Sequence, residues 1–186
     1  MTERTLVILK PDAVQRKLEY EILKRFARKG LAVVVSKRLM AKEDHLDRHF
    51  PNTEEWMMNM GERAVGRWRA QGEDPKKIYG ADDPLEIGKM IAAECRLYYQ
   101  EGPLEAVVLE GENAIALVRK MLGSPLPSQA AKETIRGYFA APPGPRDHLA
   151  ARNLIHASDS PKEAEREMAV WFTPEEMAKG GRIVAE

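Results

Sequence analysis

The order of the short apolar runs along the chain constrains its fold more than any other feature. Four runs, residues 5–9, 31–39, 105–110 and 153–157, have the β-branched and aliphatic character of buried strands. Between the first two, apolar residues recur every four positions from Val14 to Phe26 up to a stop at Gly30, and Asn113 opens a second helix that ends before Gly123. The order β, α, β, helical stretch, β, α, β predicts an α+β sandwich with helices against one sheet.

The least regular part of the pattern is the region 51–100. Two helical patterns there flank a connector rich in Gly, Asp and Pro, residues 72–84, and the second opens with a cap, a first-turn proline and an acid at Asp83, Pro84 and Glu86. This arrangement predicts a helical hairpin. A short polar helix is expected over 42–50, little regular structure over 124–145, and a turn-like tail after Thr173.

Length and composition indicate one globular domain over residues 1–186, with an extended helical region at 51–100 and an extended loop at 140–151. Lys plus Arg and Asp plus Glu both total 29, so no net field attracts nucleic acid or an anionic membrane. The single cysteine, Cys95, fits a reducing compartment, and no run of 18 apolar residues occurs. We therefore expect a cytoplasmic protein without a membrane segment.

Three of the four histidines have ordinary explanations from the sequence. His45 and His49 lie one helical turn apart among charged residues, which predicts a solvated helix face, although a metal pair at this spacing is the alternative. His148 falls in a loop. His156 differs, because it ends the apolar run 154–155 and is therefore a polar group at the end of a strand.

A helix begins directly after His156. Ser160, Pro161 and Glu163 fill the cap, first-turn and capping-box positions, and a helix N-terminus favours an anion through its free N–H groups and its dipole. Glu167, about two turns into this helix, can hold one ring nitrogen and leave the other to attack. The pattern alone leaves two interpretations open, a phosphate site or an ordinary capped helix.

Basic residues at the ends of other elements can converge on the same point. Lys10 ends the first strand, Arg119 precedes Gly123, and Arg136 lies in the segment TIRG. Each is equally compatible with a solvated surface charge, and Asn153 with a turn residue before the last strand.

Two common nucleotide-binding motifs are excluded. Residues 61–66 have the glycine spacing of a P-loop, but Arg67 and Trp68 stand where Lys and Ser or Thr are required. The dinucleotide-binding pattern Gly-x-Gly-x-x-Gly does not occur.

Four segments together resemble the nucleoside diphosphate kinase family. The most specific is NLIHASDS, and the segment 165–172 places Glu167 eleven residues beyond His156. The resemblance covers most of the chain outside residues 51–90. The four segments are TLVILKPDAVQR (5–16), RKMLG (119–123), TIRGYF (134–139) and NLIHASDS (153–160).

The resemblance implies a ferredoxin-like βαββαβ antiparallel sheet, a homo-oligomer (tetramer or hexamer), and a ping-pong reaction. In that reaction His156 takes the γ-phosphoryl group of a nucleoside triphosphate, typically ATP, and a nucleoside diphosphate accepts it. By the same resemblance Glu167 and Ser158 support His156, and Mg²⁺ arrives bound to the nucleotide phosphates rather than in a protein ligand cage. The implied nucleotide or phosphate contacts are Lys10, Phe50, Arg119, Arg136 and Asn153.

The chain departs from the family pattern at three places. Phe50 stands where the family usually has a tyrosine, so one hydroxyl is missing, and Ser124 is the candidate to replace a threonine usual after the MLG turn. The region 51–100 is longer than usual, and it either lengthens the clamp over the base or packs at a subunit interface. A non-enzymatic scaffold is the alternative to a kinase, and a nucleic-acid-binding role ranks lower because the charge is balanced.

Overall fold

One mixed sheet is the centre of the computed structural model, which describes residues 1–141 and 149–184. Across the sheet the strand order is β4-β1-β3-β2-β5. All neighbours are antiparallel except β5, which runs parallel to β2. In the described residues the strands are β1 (Thr2–Leu9), β2 (Ala32–Leu39), β3 (Leu104–Glu112), β4 (Ile155–Ala157) and β5 (Gly181–Val184).

Helices connect the strands and complete the expected order. Within the described ranges they are α1 (Pro11–Gln15), α2 (Glu19–Ala27), α3 (Glu43–His49), α4 (Glu54–Ala70), α5 (Pro75–Tyr79), α6 (Pro84–Gln100), α7 (Ala114–Leu122), α8 (Ile135–Phe139), α9 (Pro161–Trp171) and α10 (Pro174–Lys179). The four strands in the order β4-β1-β3-β2 have the ferredoxin-like βαββαβ arrangement, and β5 extends the sheet beside β2, so the predicted fold class is confirmed. No helix in these ranges is long and apolar enough to cross a membrane.

Helices cover both faces of the sheet, which corrects the expectation of helices on one face. Val7 and Leu9 of β1 pack in a cluster with α1, α2, α7 and α8. Leu6 and Ile8, on the opposite face, pack in a second cluster with α3, the end of α6 and α9. Since alternate residues of a strand face opposite sides, an uninterrupted apolar run such as residues 6–9 buries both sides.

The region between β2 and β3 contains the helical hairpin expected there. Helices α4 and α6 enclose a separate apolar cluster, and the side chain of Asp83 caps α6 by accepting a hydrogen bond from the backbone N–H of Glu86 at 2.9 Å. The helices cross closely at two glycines: a Cβ on Gly61 would lie 1.7 Å from the carbonyl oxygen of Pro84. The buried residues of the cluster are Ala64, Val65, Trp68, Ala81, Ile87 and Ile91.

Two local predictions were wrong in detail. The single helix expected from Val14 to Phe26 is two helices, because the chain turns at Lys17, whose φ is +55°. Both helices bury the same face, so the four-residue period continues through the break. In the stretch expected to be irregular, α8 and a 3₁₀ turn (Pro127–Gln129) form, with the hydroxyl of Thr134 accepting from the N–H of Gly137. Residues 142–148, with the PPGP stretch and His148, lie outside the described residues.

The tail after Thr173 is also more regular than expected. Thr173 and Glu176 form a reciprocal capping box at the start of α10, which is a local signal present in the sequence. Strand β5 follows and pairs with residues 35–38 of β2. This pairing is tertiary, so the four-residue run gave no local sign of it.

Candidate active site

His156 lies in the middle of β4, where it pairs with Ile8 of β1. Its side chain is 27% exposed and opens into a cavity of about 220 Å³. The start of α9 borders this cavity, and the hydroxyl of Ser160 caps the helix by accepting from the N–H of Glu163 at 3.2 Å, as the sequence predicted. The lining residues are Arg119, Leu122, Gly123, Pro125, Arg136, His156, Ala157, Asp159, Glu163 and Glu167.

A buried carboxylate orients the ring of His156. Both carboxylate oxygens of Glu167 lie 2.9 and 3.0 Å from Nε2, and the hydroxyl of Ser158 donates to Glu167 at 2.5 Å. Burial by itself raises the pKa of Glu167, but the hydrogen bonds and charges of its neighbours outweigh burial and lower the pKa to about 2. An ionised carboxylate on Nε2 places the ring proton there, which leaves a lone pair on Nδ1.

A second histidine, His49, lies directly beside His156, and the expectation of a solvated position was wrong. The ring of His49 is 3% exposed, and its centroid lies 4.8 Å from that of His156. The indole N–H of Trp171 donates to Nδ1 at 3.3 Å, and the hydroxyl of Tyr99 lies 3.5 Å from Nε2. Burial, followed by the neighbouring His156, lowers the pKa of His49 to about 3, so its ring is neutral.

The sequence contained a partial signal for this burial. Leu46, three residues before His49, is also fully buried, and Phe50 packs against the same cluster, so an apolar stripe runs along α3. The charged neighbours of His49 concealed the stripe. His45 lies one turn earlier, where its ring stacks on Trp171 at 5.1 Å and its Nδ1 accepts from the N–H of Lys42.

Lys10 and Asn153 form a polar pair next to the histidine strand. The ammonium group of Lys10 donates to Oδ1 of Asn153 at 2.8 Å and lies over the rings of Tyr98 and Tyr99, 4.8 and 5.3 Å from their centroids. Burial lowers the pKa of Lys10 to about 8. Nδ2 of Asn153 donates to the carbonyl of Pro125, which is one of the residues that line the cavity.

The two predicted arginines differ in their hydrogen bonding and in their exposure to solvent. The guanidinium of Arg136 donates to the carbonyls of Gly123, Asn153 and Ile155 at 2.8, 3.3 and 2.8 Å. Burial, followed by the nearby Arg119, lowers its pKa to about 10. Arg119 is exposed and lines the same cavity. Arg136 therefore braces the loops around the cavity, while Arg119 extends towards solvent at its wall.

In the part of the chain that the structure describes, Phe50 and Ser124 are not among the residues that line the cavity. The ring of Phe50 packs against His49, Trp56 and Tyr99, with centroids 5.0, 5.8 and 5.3 Å away. The hydroxyl of Ser124 accepts from the N–H of Leu126 at 3.3 Å. The arrangement thus brings together His156, Arg119 and Arg136 with Lys10 and Asn153 behind them, and leaves Phe50 in the apolar layer.

The backbone before His156 is strained. Leu154 has a φ of +70°, and the N–H of Ile155 donates to the carbonyl of Asn153 at 2.8 Å, which is the hydrogen bond of a γ-turn centred on Leu154. A left-handed conformation costs a non-glycine residue about 1–2 kcal/mol. Such strain persists only where the surroundings hold it, and it is common at functional sites.

One group of residues in the described chain could offer ligands to a metal ion. His49, His156 and Glu167 each provide an atom, and these atoms lie within 4.8 Å of one another. All three are already engaged, since Trp171 donates to Nδ1 of His49 and the carboxylate holds Nε2 of His156. The geometry therefore fits a hydrogen-bonded support for His156 better than a metal centre.

Comparison with known proteins gives the family. The model of the family described as "Nucleoside diphosphate kinase" matches residues 3–70 and 76–177. A nucleoside diphosphate kinase from Pyrobaculum aerophilum is 41% identical over 181 residues, covering 94% of this chain and 97% of that protein. Human nucleoside diphosphate kinase B is 36% identical over 175 residues, covering 94% and 89%.

Solved structures agree with the sequence comparison. The crystal structure of an NDP kinase from Pyrobaculum aerophilum has a TM-score of 0.86 at 41% identity and covers 95% of this chain and 99% of that one. A transition state mimic of the nucleoside diphosphate kinase from Borrelia burgdorferi, with bound vanadate and ADP, has a TM-score of 0.71 at 27% identity, covering 94% and 89%.

The fold and the cavity define a phosphotransferase with a nucleotide-binding domain of ferredoxin-like type. The chain belongs to the nucleoside diphosphate kinase family. It is therefore an enzyme that acts on nucleoside di- and triphosphates, as the sequence predicted. The match to the family model is interrupted only at residues 71–75, in the connector between α4 and α5.

Proposed function

We propose that His156 carries the phosphoryl group between two nucleotides in a ping-pong reaction. In the first half, Nδ1 of His156 forms a bond to the γ-phosphorus of a nucleoside triphosphate, and the bond from that phosphorus to the β-γ bridging oxygen breaks. The electron pair leaves with the nucleoside diphosphate. In the second half, a terminal oxygen of another nucleoside diphosphate attacks the same phosphorus and restores the imidazole. The observation that carries the proposal is the carboxylate of Glu167 on Nε2, which leaves Nδ1 with its lone pair.

Glu167 and Ser158 stabilise the charge that develops on His156. Once Nδ1 bonds to phosphorus, the ring becomes cationic, and the ionised carboxylate 2.9 Å from Nε2 is already in place to compensate it. The hydroxyl of Ser158 fixes the second carboxylate oxygen. Because these groups are oriented before the reaction, little reorganisation is needed during transfer.

Cationic groups bind and align the phosphates. Arg119 lines the wall of the cavity, Arg136 has N–H groups beyond its three carbonyl contacts, and Lys10 is held beside Asn153. Phosphoryl transfer depends mainly on such alignment and charge stabilisation. Phe50, which lies in the apolar layer, would affect the nucleotide through the shape of the site rather than by a polar contact.

The nucleotide is expected to bring Mg²⁺ with it. Near the cavity the protein offers few carboxylates that could bind the ion directly. Glu163 is paired with Arg166 and Glu167 with His156, which leaves Asp159 as the exposed carboxylate at the cavity wall. One carboxylate with nucleotide phosphates is a usual environment for Mg²⁺. When bound, the ion would neutralise charge on the phosphates.

Three further expectations belong with the proposal. The single cysteine supports a cytoplasmic enzyme, and the family resemblance supports a homo-oligomer of four or six subunits. Residues 1–186 are proposed to form one domain, since α6 contributes to both the hairpin cluster and the sheet cluster through Ile87 and Tyr99.

Labelling with radioactive ATP tests the proposal. We expect the protein to acquire an acid-labile label from [γ-³²P]ATP and to pass it to an added nucleoside diphosphate, while His156→Ala acquires none. His45→Gln is the matched control, because His45 stacks on Trp171 outside the cavity, and it should label normally. Label retained in His156→Ala contradicts the assignment. Nucleotide binding without any label in the parent protein favours the scaffold alternative.

A further inference from the structure

A polar pair next to the active site has no part in the transfer described above. Tyr98, near the end of α6, is 1% exposed, and its hydroxyl donates to Oδ1 of Asp12 in the first turn of α1 at 2.7 Å. Burial, followed by the carboxylate of Asp12, raises the pKa of Tyr98, so the phenol stays protonated and can donate. This contact joins α1 to α6 through two residues that are 86 positions apart in the sequence.

Both members of the pair contact the same backbone group. The N–H of Leu154 is shared between Oδ2 of Asp12 at 3.2 Å and the hydroxyl of Tyr98 at 3.3 Å. On the other side of this residue, its carbonyl accepts from the backbone N–H of Lys10 at 2.8 Å. Both the N–H and the carbonyl of Leu154 are therefore fixed by hydrogen bonds. Leu154 is also the residue with the left-handed φ of +70°.

The residues on either side of this turn belong to the proposed site. Asn153 precedes it and binds Lys10, and His156 follows two positions later. Without its anchors, Leu154 would relax towards an ordinary negative φ, which would change the direction of the chain between Asn153 and His156. Side-chain positions in an active site must be kept within fractions of an ångström for efficient transfer.

We propose that Asp12 and Tyr98 are positioning residues for phosphoryl transfer, which they serve by holding the left-handed turn at Leu154. Through this turn they set the place of His156 and Asn153 relative to Lys10. The inference rests on the proposed role of His156 as phosphoryl carrier. It also gives α6, which forms part of the helical hairpin, a direct contact with the turn that precedes β4.

The test removes one hydroxyl. Tyr98→Phe keeps the buried ring but not the bond to Asp12 or Leu154. We expect kcat to fall about 10- to 100-fold, the range for a small misplacement of reacting groups, while the KM for nucleotide changes by less than about threefold. The amide hydrogen of Leu154 should exchange faster with solvent. Tyr20→Phe, which alters a tyrosine that is 70% exposed on α2, is the matched control and should retain the parent kcat.

A second variant keeps the proposal testable if Tyr98→Phe does not fold. Asp12→Asn keeps one oxygen as an acceptor but places an NH2 group, which cannot accept, against one of its two donors, and it should lower kcat in the same way. The proposal is overturned if a folded variant loses thermal stability but keeps its kcat, or if only KM rises. If the parent protein carries its label on another residue, the role of His156 fails instead, and the labelling experiment separates these two failures.

Discussion

His49 shows how the surroundings of a single ring set its chemistry. Because the indole N–H of Trp171 donates to Nδ1, the proton of the neutral ring lies on Nε2, facing the hydroxyl of Tyr99. A neutral ring beside His156 adds no positive charge that would compete for the carboxylate of Glu167. The ring of His49 therefore packs against the ring of His156 without disturbing the hydrogen bond between His156 and Glu167.

The low pKa of His49 predicts a pH dependence of stability. In the unfolded chain the ring takes up a proton below its ordinary pKa of 6.5, whereas in the folded protein it stays neutral down to about 3. The folded state is therefore favoured above pH 6.5, and this contribution is lost as the pH falls towards 3, by about 1.4 kcal/mol per pH unit. The free energy of unfolding, measured by urea denaturation at several pH values, should therefore depend less steeply on pH in His49→Gln than in the parent protein.

The comparison uses slopes rather than absolute stabilities, because the substitution also changes packing. Between pH 6.5 and 5 the carboxylates contribute little, so the difference between the two slopes isolates the imidazole. Equal slopes in the parent protein and in His49→Gln would mean that the ring is protonated in the folded state.

The sequence predicted His156 and its support better than it predicted His49. The capping residues after His156 and the spacing to Glu167 are local signals, and the helix forms as they indicate. The positions of His49 and of the Tyr98 hydroxyl depend on how α3 and α6 pack against distant elements. The apolar stripe of Leu46 and Phe50 gave only a partial sign that His49 is buried, and no local pattern indicated the contact of Tyr98, so both residues were missed.

At the scale of the elements, the hairpin depends on close backbone contact between α4 and α6. Gly61 packs against the carbonyl of Pro84, and Gly88 packs against the carbonyl of Met57. A Cβ on Gly88 would lie only 1.9 Å from the carbonyl oxygen of Met57. Glycine in the middle of a helix is unfavourable by roughly 0.5–1 kcal/mol relative to alanine. The close crossing, which buries the apolar cluster between the helices, compensates for that cost.

Two alanine substitutions on α4 should act in opposite directions. Gly61→Ala forces the helices apart and should lower the free energy of unfolding by about 1–3 kcal/mol. Gly66→Ala, on the exposed side with no atom within 4 Å of its Cβ, should raise it by about 0.5–1 kcal/mol. Thermal denaturation of both variants measures the contrast. A stabilising effect of Gly61→Ala would show that the helices do not cross as closely as described.

The elements themselves were predictable to different degrees. Strands β1 and β3 and helices α6 and α9 follow their local signals, including the caps at Asp83 and Ser160. The division of the first helix at Lys17 and the pairing of β5 with β2 were not predictable in this way. The apolar period runs through the break at Lys17 and so gives no sign of it, and the pairing of β5 is a tertiary contact.

At the scale of the whole molecule, charge is balanced but its distribution is not uniform. The chain has 29 basic and 29 acidic residues, yet Arg119 and Arg136 line one cavity with Lys10 behind it. Burial, and after it the charge of Arg119, lowers the pKa of Arg136, as expected where cations lie close together without an anion. A bound phosphate would relieve the repulsion between these cations and stabilise the folded state.

Nucleotide should therefore raise the melting temperature. At a concentration about 100 times its Kd, a ligand of the folded state adds about 2.7 kcal/mol. For a chain of this size that corresponds to an increase of roughly 5–10 °C. Differential scanning fluorimetry with ADP and Mg²⁺ measures the shift, and Arg119→Ala should reduce it at the same ADP concentration. An undiminished shift in that variant would place the phosphates away from Arg119.

Helix α6 belongs to two parts of the molecule at once. Its first turns form the hairpin with α4, and its last turns carry Tyr98 and Tyr99, which reach the backbone before His156 and the ring of His49. A rigid rod of 17 residues transmits a tilt at one end to the other. A substitution in the hairpin that tilts α6 is therefore expected to displace the turn at Leu154, although the substituted residue lies far from that turn.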